Sequence, residues 1–207
     1  MPIYIRNDIK IYHAHIPKCA GSSIENFFIK ENFEYAFLDR YFTLKNKKDL
    51  WNKSSPQHLL AYQFNDLFYN LKFNFTFAIV RNPIDRFVSA FIFNFQRKHI
   101  QNIEDINQFI DSFYQEKKFK NFYLDNHFLP MKYFIENIPN IKIYKLENGL
   151  INLKKDLIEV LKEKDMKINF EKNNIRKDIN EKLVTLNTSS ISKLNEMYKM
   201  DFENFNY

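Results

Sequence analysis

Glycine is scarce in this 207-residue chain, which contains only two, and cysteine is scarcer, with one. A single cysteine excludes an intrachain disulfide and fits a reducing compartment. No stretch reaches the length of a membrane span, and residues 1–10 alternate in polarity instead of forming the apolar core of a secretory signal. We therefore expect a cytoplasmic protein without a transmembrane segment, and the Phe-, Ile-, Asn- and Lys-rich composition points to a bacterium with an AT-rich genome.

Charge and length narrow the class of protein further. The formal net charge of +6 favours anionic partners. Nucleic acid is not the expected partner, because no zinc-finger, RNA-recognition or basic-helix signature accompanies the charge. The length suits one α/β domain with an aromatic core, and no repeat or linker interrupts the chain, so we expect a single domain over residues 1–207.

One of the two glycines lies in the most informative segment, residues 15–23, which reads His-Ile-Pro-Lys-Cys-Ala-Gly-Ser-Ser. Alternating polarity over 9–16 predicts a strand that leads into it, and a helix is expected over 22–30. A tight loop with a lysine and two hydroxyls, between a strand and a helix N-terminus, is typical of an anion-binding site. Since glycine is avoided elsewhere, Gly21 indicates a place where the backbone approaches a ligand closely.

This loop is not a Walker A loop, because Lys18 precedes Gly21 by three residues, whereas the Walker lysine follows its glycines. The segment therefore predicts phosphate or sulfate binding without predicting ATP hydrolysis. The alternative is an ordinary strand–turn–helix joint in which Ser22 is the N-cap and Glu25 completes a capping box.

A second motif follows the apolar segment 76–80, which is predicted to be a buried strand. Asn82, Pro83 and Asp85 fit the N-cap, N1 and N3 positions of a helix. Arg81 thus lies where the strand ends, which is the usual ligand-binding edge of an open α/β sheet.

The helix of this motif is expected over 83–95, with Arg86 and Ser89 on one face. Packing explains its phenylalanines. It does not explain an arginine at the exit of a buried strand, Arg81, followed two turns later by a serine.

Together the two motifs resemble the PAPS-dependent carbohydrate sulfotransferases, of the bacterial type similar to sulfotransferase family 2. The resemblance implies a three-layer, P-loop-like α/β fold with a central, mostly parallel sheet flanked by helices. It implies that Arg81 and Ser89 bind the 3′-phosphate of PAPS and later of the product 3′,5′-ADP. It also implies that the 5′-phosphosulfate is bound by Pro17, Lys18, Cys19, Ala20, Gly21, Ser22 and Ser23.

Weaker similarities to these enzymes continue to the C-terminus, at 55–59, 126–130, 144–147 and 194–202. Polarity patterns predict alternating strands and helices, and hence a mostly parallel sheet covered on both faces. The remaining expected elements are a strand at 141–146 and helices at 104–116, 126–137, 151–163 and 189–200. Residues 31–75 are expected to be irregular.

The implied chemistry assigns two catalytic residues. Lys18 would stabilise charge on the leaving oxygen. His58 would be the general base, because it lies between the two motifs and its ordinary pKa of about 6.5 suits that task. A packed histidine is the alternative reading, and Glu25 and Glu34 are rival bases, with Glu25 better suited to capping the helix. No metal is expected, since the sequence has no Asp/His cluster at metal-ligand spacing.

Several other residues have two readings each. His13 and His15 share a strand face, either as a packed pair or in the acceptor pocket. His127 either lines the acceptor cleft or packs in the core. Cys19 at a helix N-terminus suggests a nucleophile, although no histidine–acid pair is evident around it. A solvated face or a flap over the nucleotide would account for a basic segment formed by Lys172, Arg176 and Lys177.

The sequence therefore favours a PAPS-dependent O-sulfotransferase that acts on a carbohydrate in polysaccharide biosynthesis. Lipid-linked and acidic acceptors both fit the basic chain. A nucleotide-dependent phosphotransferase and a non-catalytic, basic glycan-binding module are the alternatives. The first would need a Walker lysine and a Mg²⁺-binding aspartate, and neither is evident.

Overall fold

The computed structural model describes residues 2–96, 105–116, 119–163, 166–170 and 184–207. These residues form a mixed α/β structure with one five-stranded sheet and seven α-helices. Among them, no helix is both long enough and apolar enough to span a membrane. Three residues named above lie outside the described ranges: Lys172, Arg176 and Lys177.

The strands are β1 Ile3–Arg6, β2 Ile9–Ala14, β3 Glu34–Ala36, β4 Phe75–Val80 and β5 Lys142–Lys145. They form one sheet with the order β3-β1-β2-β4-β5. Strand β1 runs antiparallel to both of its neighbours, whereas β2, β4 and β5 are parallel, so the mostly parallel sheet is confirmed. The three predicted strands are present, and β1 and β3 are additional to them.

The register of β2 and β4 positions the two motifs. Ala14 lies opposite Ala78 in a parallel ladder, so the carboxyl ends of both strands reach the same edge of the sheet. All six residues of β4 are buried, as predicted. The loop after β2 and the residues after β4 are therefore neighbours, although they are far apart in sequence.

The helix of the second motif begins as predicted. The side-chain oxygen of Asn82 accepts hydrogen bonds from the amides of Ile84 and Asp85, and Pro83 is the first helical residue. The α-helix ends at Phe91 and a π-helical turn, Ile92–Gln96, follows it. The helix bounds are α1 Gly21–Lys30, α2 Ala61–Phe68, α3 Pro83–Phe91, α4 Ile106–Gln115, α5 Ile151–Leu161, α6 Thr188–Met197 and α7 Lys199–Phe205.

Two expectations about helices are wrong. Residues 126–137 do not form a helix; 3₁₀ turns lie at Tyr123–Asn126 and Met131–Phe134 instead. Residues 31–75 are not wholly irregular, since they include β3 and α2. In both cases tertiary packing overrides local pattern, and the turns near residue 126 bring a polar loop to the functional site.

Candidate active site

The loop that connects β2 to α1 turns sharply. Lys18 and Ala20 have left-handed backbone conformations, with φ of 68° and 65°. Within the described part of the chain, the amides of Ala20, Gly21 and Ser22 donate to no backbone carbonyl. Unused donors at the N-terminus of a ten-residue helix, beside a lysine, are the arrangement expected of an anion-binding loop.

Gly21 is needed for a reason that the sequence did not reveal. A Cβ atom added at this position would lie 1.8 Å from Nε2 of His15. In this structure the absence of a Cβ therefore permits close contact with the His15 imidazole.

The capping-box alternative for this loop is wrong. Helix α1 has no side-chain cap among the described residues. The buried Glu25 side chain instead points to His15, with 2.9 Å between Oε1 and Nδ1. Burial alone would raise the pKa of Glu25, but the nearby His15 and His58 outweigh it and lower that pKa. Glu25 is therefore an ionised partner of His15.

Lys18 lies against an aromatic ring that leads to the rest of the site. Its Nζ is 3.9 Å from the centroid of the Phe93 ring. The Phe93 ring in turn lies 5.1 Å from the ring of His127, measured between centroids. The π-helical turn after α3 thus provides a phenylalanine that contacts both Lys18 and His127.

Arg81 directly follows β4, at the same sheet edge as the Lys18 loop. No hydrogen bond or ion pair joins its side chain to another residue in the ranges that the structure describes. Ser89 lies two turns into α3 and is half-buried. The fold thus leaves a guanidinium available for an anion at this edge.

The backbone next to Arg81 is fixed by a residue that sequence reasoning did not single out. Oε1 of Glu147 accepts a hydrogen bond from the amide of Asn82 at 2.7 Å, and Oε2 accepts one from the hydroxyl of Tyr207 at 2.8 Å. Glu147 therefore ties the C-terminus to the exit of β4. Only its place in a weakly similar segment, 144–147, pointed to it.

Arg86 is different from Arg81, although both belong to one motif. It is fully buried, and its guanidinium donates to the carbonyl oxygens of His127 at 3.1 Å and Leu129 at 2.5 Å. It therefore holds the loop after His127 against α3 and is not available to a ligand.

Cys19 does not have the properties of a nucleophile. Its side chain is buried, and burial raises the pKa of the thiol to about 12, although nearby arginines oppose the shift. The thiol is therefore protonated at neutral pH, and the nucleophilic reading has no support.

His58 is paired with a carboxylate. Its Nδ1 lies 2.8 Å from Oδ2 of Asp125, which also accepts a hydrogen bond from the Ser55 hydroxyl at 2.8 Å. The amide of Ser55 donates to the other oxygen, Oδ1, at 2.6 Å. Because a carboxylate accepts, the proton of a neutral His58 is held on Nδ1, and Nε2 keeps a free lone pair. An oriented imidazole of this kind can act as a base.

The loop that carries Asp125 is held in an unusual conformation. Phe122, Leu124, Asp125 and Asn126 all have positive φ, between 44° and 73°. The Asn126 side chain fixes the loop, because it accepts a hydrogen bond from the Phe122 amide and donates one to the carbonyl of His58 at 3.0 Å. Such conformations cost about 1–3 kcal/mol each and persist only where the surroundings impose them. The sequence indicated His58 but could not show that Asp125 meets it.

Four of the five histidines form one row of rings. His13 stacks on His15 at 5.3 Å, His15 meets His58 edge-on at 4.9 Å, and His58 meets His127 at 5.2 Å, all between centroids. The prediction that His13 and His15 share a face is confirmed. His127 belongs to this row and is buried.

The rival base Glu34 is not brought to this row. It is exposed on β3, the edge strand of the sheet. Glu25 touches the row at His15, as described above.

The expectation that the chain has no Asp/His cluster of metal-binding type is wrong for the folded protein. One ligand atom from each of His58, Asp125 and His127 lies within 4.8 Å of the others. However, Nδ1 of His58 is hydrogen-bonded to Asp125. Nδ1 of His127 lies 2.8 Å from the side-chain nitrogen, Nδ2, of Asn94. The contacts present are thus those of a hydrogen-bonded network.

A cleft of about 320 Å³ opens beside the turn that carries His58. Its lining includes Leu60, two residues after His58, and Asn121, which precedes the loop of Asp125. Amides and tyrosines dominate the polar part of the lining: Tyr62, Asn65, Asn121, Tyr133 and Asn137. Glu136 is the one charged residue among those that line it.

Comparison with known proteins gives one match and two negative results. No curated protein and no solved structure matches the chain. The model of the sulfotransferase family matches residues 1–207, the whole chain. The chain that carries this loop, this arginine and this oriented histidine therefore belongs to the sulfotransferase family, whose members transfer sulfate.

Proposed function

We propose that this sulfotransferase moves a sulfonate group from PAPS to a hydroxyl of a carbohydrate, in the precursor of a cell-surface glycan or glycolipid. The observation that carries the proposal is the His58–Asp125 pair, which belongs to a row of side chains that reaches Lys18. An oriented imidazole beside a cation suits sulfonate transfer to a hydroxyl. A single domain with a three-layer, P-loop-like fold, located in the cytoplasm, is part of the proposal.

The residues present fit the two charged ends of PAPS. Unused amides at Gly21 and Ser22, with the Lys18 ammonium, would hold the 5′-phosphosulfate. Arg81 and Ser89 would hold the 3′-phosphate, since the guanidinium forms no ion pair with another residue in the described ranges. When bound, PAPS supplies an activated sulfonate.

His58 would act on the acceptor. With Nδ1–H donated to Asp125, Nε2 can take the proton of the attacking hydroxyl, and the Asp125 carboxylate stabilises the imidazolium that results. Lys18 would stabilise the negative charge that develops on the departing phosphate oxygen. We propose that no metal takes part, since the single charge of a sulfonate does not need one.

The carbohydrate acceptor is proposed from the cleft beside His58. Three asparagine amides offer both donors and acceptors to sugar hydroxyls, and the faces of Tyr62 and Tyr133 can pack on sugar rings. Because Glu136 is the charged lining residue, the cleft suits neutral sugar units better than acidic ones.

Accurate-mass spectrometry of glycans from cells that express the wild-type protein or His58→Gln tests the proposal. The wild type should add the mass of one sulfonate, and the variant should not. A phosphate increment, which accurate mass separates from sulfonate, would instead support a phosphotransferase. No increment, together with glycan binding that survives Lys18→Ala and falls steeply with salt, would support a non-catalytic module.

A further inference from the structure

Exposed apolar side chains are concentrated in one part of the described chain. Of its 13 exposed large hydrophobic side chains, seven lie between residues 41 and 71. Tyr62 lines the acceptor cleft, and the other six define what we call the aromatic–lysine surface, together with four lysines. Its apolar members are Tyr41, Leu44, Trp51, Leu67, Tyr69 and Leu71, and its lysines are Lys45, Lys48, Lys53 and Lys72.

Ring contacts join the two segments of this surface. The ring of Phe37, which directly follows the edge strand β3, lies 6.2 Å from Trp51 and 5.0 Å from Phe68, between centroids. Trp51 nevertheless remains 60 % exposed and Leu44 81 % exposed. Large apolar side chains that a folded domain leaves this open mark a surface that contacts something else.

This part of the chain carries an excess of positive charge. Residues 39–72 contain six lysines and arginines and three acidic residues, all aspartates. One aspartate, Asp39, is already paired with Lys45. Aromatic and leucine side chains among lysines match the interface of a membrane, where rings lie at headgroup level and lysines meet anionic lipids.

The surface also adjoins the site. Oε1 of Gln57, next to His58, accepts a hydrogen bond from the Asp39 amide at 3.1 Å, and Nε2 donates to the Asp39 carbonyl. Helix α2 carries Leu67 of the surface and Tyr62 of the cleft. A membrane that contacts the surface would therefore lie beside the cleft that we assign to the acceptor.

We propose that the aromatic–lysine surface binds the protein peripherally to a membrane that contains anionic lipids. The inference goes beyond the proposed function and does not depend on it, because it concerns lipid binding and not turnover. Lysines supply the attraction to the headgroups, and Trp51, Leu44 and Tyr69 enter the interface.

The chain provides its own probe, since Trp51 is the only tryptophan. Vesicles that mix phosphatidylglycerol with phosphatidylcholine should shift its fluorescence to shorter wavelength, and brominated lipids should quench it. Phosphatidylcholine vesicles alone should have little effect, and added salt should reverse the binding. An unshifted, unquenched Trp51 with anionic vesicles at low salt would overturn the proposal.

Variants assign the binding to this surface. Lys48→Glu with Lys72→Glu should weaken vesicle binding by about 25-fold or more, at about five-fold for each lysine lost. Leu44→Ser with Tyr69→Ser should reduce quenching by brominated lipids. The matched control is Ile151→Ser with Lys155→Glu, which changes an exposed isoleucine and an exposed lysine on α5. Helix α5 follows β5, the edge strand at the other end of the sheet from β3.

The control variant should bind vesicles as the wild type does. Equal binding by the control and by both surface variants would place the lipid contact elsewhere and overturn the assignment. A stable complex with a protein partner that needs Trp51, without any vesicle binding, would also overturn it.

Discussion

At the residue scale, the pair that decides what the site can do is His58 and Asp125. Burial alone would raise the pKa of Asp125. The charge of His58 and its hydrogen bond to Asp125 outweigh burial and lower that pKa, and His127 and the Ser55 amide lower it further. Asp125 is therefore ionised throughout the neutral range, and it keeps the His58 imidazole oriented with Nδ1 protonated.

Asp125→Asn should lower kcat by about 100-fold or more, because the amide neither fixes the tautomer nor stabilises the imidazolium. Affinity for 3′,5′-ADP should stay within a factor of about two. Asp111→Asn, which removes a half-exposed carboxylate paired with Lys193, is the matched control and should leave kcat unchanged. A kcat for Asp125→Asn close to that of the wild type would show that Asp125 does not position the base.

The two glycines give a second prediction at this scale. Gly21→Ala would place a Cβ against the His15 ring, so the ring must move, and we expect a loss of about 1–3 kcal/mol in the free energy of unfolding. Gly149→Ala is the control, with no atom within 4 Å but a φ of +68°, and should lose about 1 kcal/mol. Urea denaturation measures both, and a Gly21→Ala protein as stable as the wild type would contradict the close contact.

At the scale of elements, local pattern predicts much of what positions the nucleotide site. The strand before Lys18, the buried strand before Arg81 and the Asn82–Pro83 helix start all follow from polarity and capping chemistry. The acceptor side was less predictable. The left-handed turn around Asp125 is stabilised by contacts with residues about 70 positions away, and no local pattern encodes such contacts.

Glu147 allows a test of how the elements support Arg81. Glu147→Gln weakens the hydrogen bonds that join the Asn82 amide and the Tyr207 hydroxyl to one carboxylate. We expect about five- to ten-fold weaker binding of 3′,5′-ADP, since charged hydrogen bonds contribute about 1.5–3 kcal/mol and the amide retains part of them. The exposed Glu159→Gln serves as control. Unchanged affinity in the Glu147 variant would mean that Arg81 is positioned without it.

At the scale of the whole molecule, buried histidines couple the site to stability. Burial lowers the pKa of His13 well below its usual value, and it lowers that of His15 although Glu25 opposes the shift. In the unfolded chain both take up protons near pH 6.5, whereas in the folded chain they resist protonation. Unfolding therefore takes up protons, and the free energy of unfolding decreases as pH falls below about 7.

Each of the two histidines can contribute up to about 1.4 kcal/mol per pH unit to this slope. His13→Phe keeps a ring beside Phe77 and His15 but removes one proton site, so its unfolding free energy should depend less steeply on pH between 7 and 5. Chemical denaturation at several pH values gives the slope. A variant with the wild-type slope would contradict the protonation account.

The central claim is that the Lys18 loop and Arg81 bind the two ends of one nucleotide. Calorimetry with 3′,5′-ADP and with adenosine 5′-phosphosulfate, which lacks the 3′-phosphate, tests it directly on the wild type and Arg81→Ala. The variant should bind 3′,5′-ADP about 10- to 150-fold more weakly, because it loses a charged hydrogen bond that contributes about 1.5–3 kcal/mol. It should bind adenosine 5′-phosphosulfate as the wild type does. Equal losses for both ligands, or no loss for 3′,5′-ADP, would contradict the account.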